Sequence, residues 1–281
     1  MFYICYNSIT YNKDNNQQIT IISNELRIYY EYTNIMPHRF FISLYKNLLD
    51  TLFPWQCLYC HKETKNDWPL CEECFQQINL NLEFICPYCL KQITDYRHPH
   101  PSCQDKTSLA ALGAVSSYQN SVLKETIHCF KYQGVINLIS PLTILLKNFL
   151  SNSFFFQNLL QNEQELLIIP LPLHFKKKKE RGFNQSELLA LKISQFFNLN
   201  YSDKSLIRKI NNPPQFSLKD INLRKSNVEG IFEIKNEISV RNKIILLVDD
   251  VYTTGATLNE AAKILKHNGA KKVIGVVLAR D

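Results

Sequence analysis

The segment Ile244-Ile-Leu-Leu-Val-Asp-Asp-Val-Tyr-Thr-Thr-Gly-Ala-Thr257 constrains this chain more than any other. The branched apolar run from Ile244 to Val248 reads as a short, fully buried strand of a parallel sheet. The periodic stretch from Ala256 to Lys266 reads as a helix, so the residues between form a strand-to-helix loop. A buried parallel strand feeding a helix through a tight loop belongs to an α/β fold. Open α/β sheets hold ligands beyond the carboxyl ends of their strands, which is where Asp249 and Asp250 stand.

Two adjacent carboxylates can accept hydrogen bonds from a vicinal diol such as the ribose 2- and 3-hydroxyls. Thr253, Thr254 and Thr257 add hydroxyl donors, and Gly255 permits a backbone conformation and close approach that a Cβ would block. Ala256 opens a helix whose free N–H groups and dipole favour a phosphate. Taken singly, each residue has a plainer reading, because Asp and Thr are ordinary at helix N-termini. The whole string resembles the phosphoribosyl pyrophosphate (PRPP) signature of type I phosphoribosyltransferases.

Between Gln56 and Asp105 the chain reads Cys57-x2-Cys60-x10-Cys71-x2-Cys74, then Cys86-x2-Cys89-x10-His100-x2-Cys103, one spacing used twice with a His for a Cys. Tetrahedral zinc takes thiolate and imidazole ligands, and each pair two residues apart clamps one side of the ion. Used in sequential order, these residues predict one or two structural zinc ions, one all-cysteine and one of three cysteines and a histidine. Interleaved pairing fits the spacing too, and His98 is an alternative to His100, although only His100 keeps the repeat. The competing use is a disulfide framework. Residues 1–30 lack the basic start, apolar core and cleavage site of a secretory signal, and a reducing cytosol favours metal over disulfides. The expectation is a cytoplasmic, zinc-bearing chain. Cys5 and Cys129 fall outside the pattern and read as thiols packed like small apolar residues.

The 281 residues suffice for one α/β domain and a small metal-stapled module. No uninterrupted apolar run approaches the roughly 20 residues of a membrane span; Leu138 to Leu150, broken by Ser140, Pro141, Lys147 and Asn148, reads as an amphipathic helix. The formal charge of +7 is partly concentrated in Lys176-Lys-Lys-Lys-Glu-Arg181. Such a run is either a solvated, mobile face or a surface for pyrophosphate or a nucleic-acid backbone.

Residues 1–35 are rich in Asn, Gln, Tyr and Ile and carry no motif. They are expected to be a dispensable extension, or a stretch upstream of a true start at Met36. Residues 36–54 form a leading helix, with Phe41, Leu44, Leu48, Leu49 and Leu52 near one face. Ala110 to Tyr118 and Leu166 to Leu171 read as strands, the second ended by Pro170 and Pro172. Ser121 to Phe130 and Ser186 to Phe197 read as helices, with Asn184 and Gln185 placed to bind a ligand or to cap the second. Arg208 to Ser217 is polar and proline-bearing, and Arg224 and Asn227 either meet the ligand or brace a strand at Ile231 to Ile234.

Several motifs now stand in order: Leu52-Phe-Pro-Trp-Gln-Cys57, the two Cys repeats, Phe130-Lys-Tyr-Gln-Gly134, Ile169-Pro-Leu-Pro-Leu-His174, Arg181-Gly-Phe-Asn-Gln185, Arg208 with Gln215, Arg224 with Asn227, the PRPP string, and Val277-Leu-Ala-Arg280. Together they resemble the ComF family of phosphoribosyltransferase-like proteins, with one departure: His100 and Cys103 stand where the family has a fourth Cys pair. The resemblance implies a double zinc-ribbon module at 55–105 and a type I phosphoribosyltransferase-like domain at 106–281, an α/β domain whose mostly parallel sheet is flanked by helices. It implies that Asp249 and Asp250 hold the ribose of PRPP or a related sugar phosphate, and that Thr253, Thr254, Gly255, Ala256 and Thr257 hold its 5-phosphate. Leu171, Pro172, Leu173 and His174 would cup the pyrophosphate, joined by Arg181 and, from a lid over 208–217, by Arg208 and Gln215. If the chain is catalytic, Mg2+ accompanies PRPP; His128 and His174 are the acids available, and no acceptor pocket is legible. The implied role is the handling of single-stranded DNA in natural transformation or DNA utilisation, with DNA and an uptake helicase as partners. The alternative is phosphoribosyl transfer to an unidentified acceptor with release of pyrophosphate.

Overall fold

The computed structural model describes residues 9–12, 17–20, 56–64, 68–95, 101–103, 105–162, 165–210, 230–235 and 240–281. The leading helix at 36–54, Cys5, His98, His100, Gln215, Arg224, Asn227 and the lid beyond Ile210 lie outside the described residues. So does the N-terminal extension, apart from an antiparallel ribbon of β1 (Ile9–Asn12) and β2 (Gln17–Thr20). The chain divides into two compact units, residues 1–77 with 125–141 and residues 78–124 with 142–281.

The first unit carries the first Cys repeat and the short helix α1 (Glu72–Gln76), with the edge of the Trp68 ring meeting Phe75 at 6.0 Å between centroids. Helix α2 (Ser121–Tyr132) begins in the second unit and ends in the first.

The second unit is built on a seven-stranded sheet. Its order is β4 (Gln92–Ile93), β3 (Phe84–Ile85), β5 (Ala111–Ser117), β11 (Lys272–Arg280), β10 (Ile244–Tyr252), β6 (Leu166–Pro170) and β7 (Asn200–Tyr201). From β5 to β7 every pairing is parallel, while β3 joins β5 and β4 joins β3 antiparallel. The predicted strands and helices therefore fall where the apolar patterns put them. The amphipathic helix is α3 (Ile139–Asn152), with Pro141 in its first turn, where a missing N–H costs least. Helix α4 (Phe154–Asn162) follows.

Ile244 to Val248 are at most 2% exposed, as a strand covered on both faces requires. Leu167, Ile169, Ile245, Leu247, Val273 and Val277 form one buried layer with Leu258, Ala261, Ala262 and Leu265 of α7 (Ala256–His267). Each fully buried Leu or Ile contributes about 1.5–3 kcal/mol. Helix α6 (Gln185–Phe197) packs on β6 and β10. An antiparallel pair, β8 (Leu206–Arg208) with β9 (Phe232–Ile234), leads into and out of the polar loop, so Arg208 lies on a strand.

The antiparallel β3 was not legible in the sequence. It depends on a distant glycine: a Cβ on Gly113 would fall 2.6 Å from the Phe84 ring. In the space left, Phe84 stacks on Phe155 at 4.2 Å and meets Phe149 at 5.3 Å between centroids. Upstream, Asn81 donates its N–H to the Val115 carbonyl at 2.7 Å, and Ser116 Oγ donates to the Asn79 carbonyl at 2.6 Å. The second Cys repeat thus begins as part of the sheet. No helix among the described residues is long and apolar enough to cross a membrane.

Candidate functional site

The two Cys repeats fold into matching turns. The amide of Cys57 donates to the Lys62 carbonyl and that of His61 to the Cys57 carbonyl; Cys86 with Lys91, and Leu90 with Cys86, repeat both bonds at the same 2.8 and 2.9 Å. His61 and Leu90 occupy the same left-handed conformation, with φ of 60° and 61°. A non-glycine residue there is strained and persists only where its surroundings hold it, as they do at ligand clamps.

The ligand atoms of Cys57, Cys60, Cys71 and Cys74 lie within 4.8 Å of one another, as do those of Cys86, Cys89 and Cys103. The Cys60 and Cys71 sulfurs are 3.5 Å apart. Zinc–sulfur bonds of about 2.3 Å set tetrahedral sulfurs about 3.8 Å apart, so the residues fit a zinc ion. They also fit sequential rather than interleaved pairing. Burial pushes the Cys57 thiol up, but the amides of Cys60, Cys71 and Tyr59 and the Cys60 thiol outweigh it and bring Cys57 down to about 7. A thiolate is thus ready near neutral pH, the form that binds metal. Outside the repeats, Cys129 is buried and donates its thiol to Glu125 at 3.5 Å.

The second cluster of chemistry forms where β10 outruns its neighbour. β6 pairs with β10 only as far as Val248 opposite Pro170, whereas β11 follows β10 to Tyr252. The strand is longer than the apolar run predicts and carries Asp249 and Asp250 within it. Successive strand side chains leave opposite faces. Asp249 is half-buried and Asp250 only 8% exposed. Ser186 Oγ donates to Asp249 Oδ1 at 2.9 Å, orienting the more open carboxylate.

Beyond Tyr252 the chain turns through exposed Thr253, half-buried Thr254 and buried Gly255 into α7, with Ala256 and Thr257 in its first turn. Gly255 is the N-cap with φ of 73°, and the Ala256 amide donates to Thr254 Oγ1 at 3.4 Å. This is a strand-to-helix turn with backbone N–H groups at a helix N-terminus, suited to a phosphate.

Beside it, Leu171 to His174 leave β6. The Leu171 amide donates to the Val248 carbonyl at 2.8 Å, and Asn184 Nδ2 donates to the Leu171 carbonyl at 3.1 Å. Asn184 also caps α6, its Oδ1 accepting from the Ser186 amide at 3.1 Å. The Asn184-Gln185-Ser186 run therefore ties the loop, the helix and Asp249 together. His174 is 5% exposed, and its Nδ1 accepts from the Lys176 amide as the N-cap of α5 (Phe175–Arg181). That bond gives the residue a capping role.

The basic run forms this helix, with Lys176, Lys178 and Lys179 exposed and Lys177 and Arg181 half-buried. Lys178 bonds Glu187 at 2.7 Å, and Arg181 Nη1 donates to Gln185 Oε1 at 3.2 Å. Burial, then the charges of Arg208 and Arg181, hold the Lys177 ammonium below its ordinary value. Burial lowers Arg208 as well, while Asp249 pushes the other way. Lys177 thus lies within reach of the charges of Arg181 and Arg208, and Arg208 within reach of that of Asp249. Lys177 and Ser186 were not singled out from sequence. Lys177 had a signal, its i,i+4 spacing from Arg181 on one helical face; Ser186 had none beyond following Gln185. His128 is exposed on α2, its ring against Tyr132 at 5.2 Å.

Residues 199–281 match the phosphoribosyl transferase domain and residues 48–105 the double zinc ribbon domain. The chain is 31% identical over 237 residues to the competence protein ComFC of Bacillus subtilis (strain 168), covering 81% of this chain and 89% of that protein. It is 29% identical to competence protein F of Haemophilus influenzae, covering 75% and 96%. It is 28% identical to the DNA utilization protein YhgH of Escherichia coli (strain K12), covering 78% and 94%. Among solved structures, the allosteric regulatory enzyme of purine biosynthesis aligns with 50% of this chain and 26% of its own, at 18% identity and a TM-score of 0.33. With the cysteine geometry, the ribbon match identifies the metal as structural zinc. With that identity over most of both chains, and with both domains matched, the chain belongs to the ComF family.

Proposed function

We propose that this chain binds PRPP at the carboxyl end of β10 and serves the handling of single-stranded DNA in the cytoplasm, in natural transformation or DNA utilisation. The observation that carries the ligand reading is Asp249, held by Ser186 and felt by the charge of Arg208, which in turn neighbours Lys177 and Arg181. Carboxylates suit a ribose diol, and neighbouring cations with a depressed lysine suit a polyanion that repays their mutual repulsion. In this reading Asp249 and Asp250 hold the ribose, the Thr253 to Thr257 turn holds the 5-phosphate, and Leu171 to His174 with Lys177, Arg181, Arg208 and Gln215 hold the pyrophosphate. Mg2+, when bound, neutralises pyrophosphate oxygens with hard oxygen ligation.

The names of the relatives support the DNA role. The exposed lysines of α5, Lys176 and Lys179, are free to add salt-dependent affinity for a nucleic-acid backbone. His174 is occupied as a cap, which favours a binding role over catalysis by that residue. Calorimetric titration of the two-zinc protein with Mg–PRPP tests the site: saturable binding, lost in Asp249→Asn with Asp250→Asn while the fold persists, is the expected result. Unchanged affinity in that double variant defeats the assignment. For the DNA role, binding of single-stranded DNA that weakens with salt and with Lys176→Ala and Lys179→Ala is expected; salt-insensitive binding counts against it.

A further inference from the structure

Tyr252 joins two regions that lie 165 residues apart in sequence. It is the last residue of β10 and is 8% exposed. Its Oη donates to the carbonyl of Pro87, between the zinc ligands Cys86 and Cys89, at 3.4 Å. The same hydroxyl end lies against the main chain of Gly255: a Cβ there would fall 2.1 Å from the tyrosine oxygen. The phenol tip therefore meets both the second zinc knuckle and the turn that opens α7. A 3.4 Å bond is long, so its hold on the knuckle is weaker than its packing against the turn.

The knuckle is itself fastened to the sheet, since Phe84 and Ile85 directly before Cys86 pair with Gly113 and Leu112. The turn from Pro87 to Leu90 is closed by the bonds of Cys86 with Lys91 and of Leu90 with Cys86, and the ligand sulfurs constrain it further. With Cys86, Cys89 and Cys103 drawn to one ion, the Pro87 carbonyl is a fixed stop for the ring, and the ring is a fixed floor for Gly255. With the sulfurs released, both have room to move.

We infer that Tyr252 is a positioning residue through which zinc occupancy of the second ribbon sets the affinity of the Thr253 to Thr257 turn for a phosphate. This rests on the PRPP reading of that turn. Linkage makes the effect reciprocal: a ligand that binds more tightly when zinc is held must also make zinc harder to remove.

The test uses the full two-zinc chain. Zinc transfer to a chromogenic chelator is followed with and without saturating Mg–PRPP, and Mg–PRPP affinity is measured for wild type, Tyr252→Phe and Tyr252→Ala. The expected result is that PRPP slows release of one of the two ions several-fold in wild type and by less in Tyr252→Phe, which lacks the oxygen that meets Pro87. In Tyr252→Ala, with two zinc ions retained, PRPP binds about tenfold more weakly and no longer slows release. PRPP binding to wild type with no change in release of either ion overturns the link alone. No PRPP binding to wild type overturns both the link and the reading beneath it. The wild-type comparison needs no substitution, so it stands even if Tyr252→Ala does not fold.

Discussion

Between Cys57 and Lys62 the chain makes the same two backbone hydrogen bonds, around the same left-handed residue, as between Cys86 and Lys91, yet the two turns lead to different surroundings. After the first, the Leu58 amide bonds the Pro69 carbonyl and an ion pair joins Lys62 to Glu73 at 2.6 Å, all within the first unit. The second is preceded by a strand of the main sheet and touched by Tyr252. One ligand pattern thus stands beside a short helix of the first unit in one place and continues a strand of the main sheet in the other. Spacing dictates the knuckle; the residues outside the spacing, Phe84 and Ile85 above all, dictate what it is attached to.

The largest effect is expected from breaking each knuckle in turn. Structural zinc contributes on the order of 10 kcal/mol in isolated zinc fingers. Cys86→Ser should lose one zinc and the cooperative melting of the sheet, whereas Cys57→Ser should lose one zinc and leave that melting in place. Equal losses by calorimetry would erase the distinction between the ribbons. Next, Phe84→Ala empties the space above Gly113 and should cost about 3–5 kcal/mol in denaturant unfolding. Trp68→Ala, in the first unit, should leave the sheet transition where it is.

A smaller change separates the ligand site from both ribbons. Ser186→Ala removes a hydrogen bond to an ionised carboxylate, worth about 1.5–3 kcal/mol, and should weaken Mg–PRPP binding about tenfold or more with both zinc ions retained. The pH dependence separates them again. Lys177 lies below its ordinary value of 10.5 because of burial, then the charges of Arg208 and Arg181. A polyanion prefers the protonated form, so affinity is full below the depressed value and falls as pH rises through it, before 10.5 is reached. Zinc content should hold over that window, since thiolates gain at alkaline pH. Lys177→Arg should shift the fall upward. The smallest effect belongs to Lys62→Ala: the pair with Glu73 is solvent-exposed, and removing it should leave both zinc content and melting temperature unchanged.

Local patterns made much of this legible. The apolar run of β10, the periodicity of α7 and the Cys spacing are each set by neighbours within a few turns of chain, and each is found where its pattern falls. What was not legible is non-local. The overhang of β10 past Val248 depends on where Pro170 ends a different strand. The cation cluster needs Arg208 brought from β8 to a helix that ends at Arg181, and the pairing of β3 needs Gly113 to lack a side chain. The course of residues 79–85 beside β5 has the same non-local origin.

The two-residue strand β3 has a consequence for the chain as a whole. Without it β5, seven residues of which six are buried, would form the open margin of a parallel sheet. Such a margin offers unpaired N–H and C=O groups to any extended segment of another molecule. With residues 79–85 beside it, the outermost strand is β4, only two residues long, a poor template for further pairing. The second ribbon is therefore also a guard against self-association. Chains deprived of its zinc are expected to join edge to edge into oligomers at concentrations where the metal-loaded protein does not.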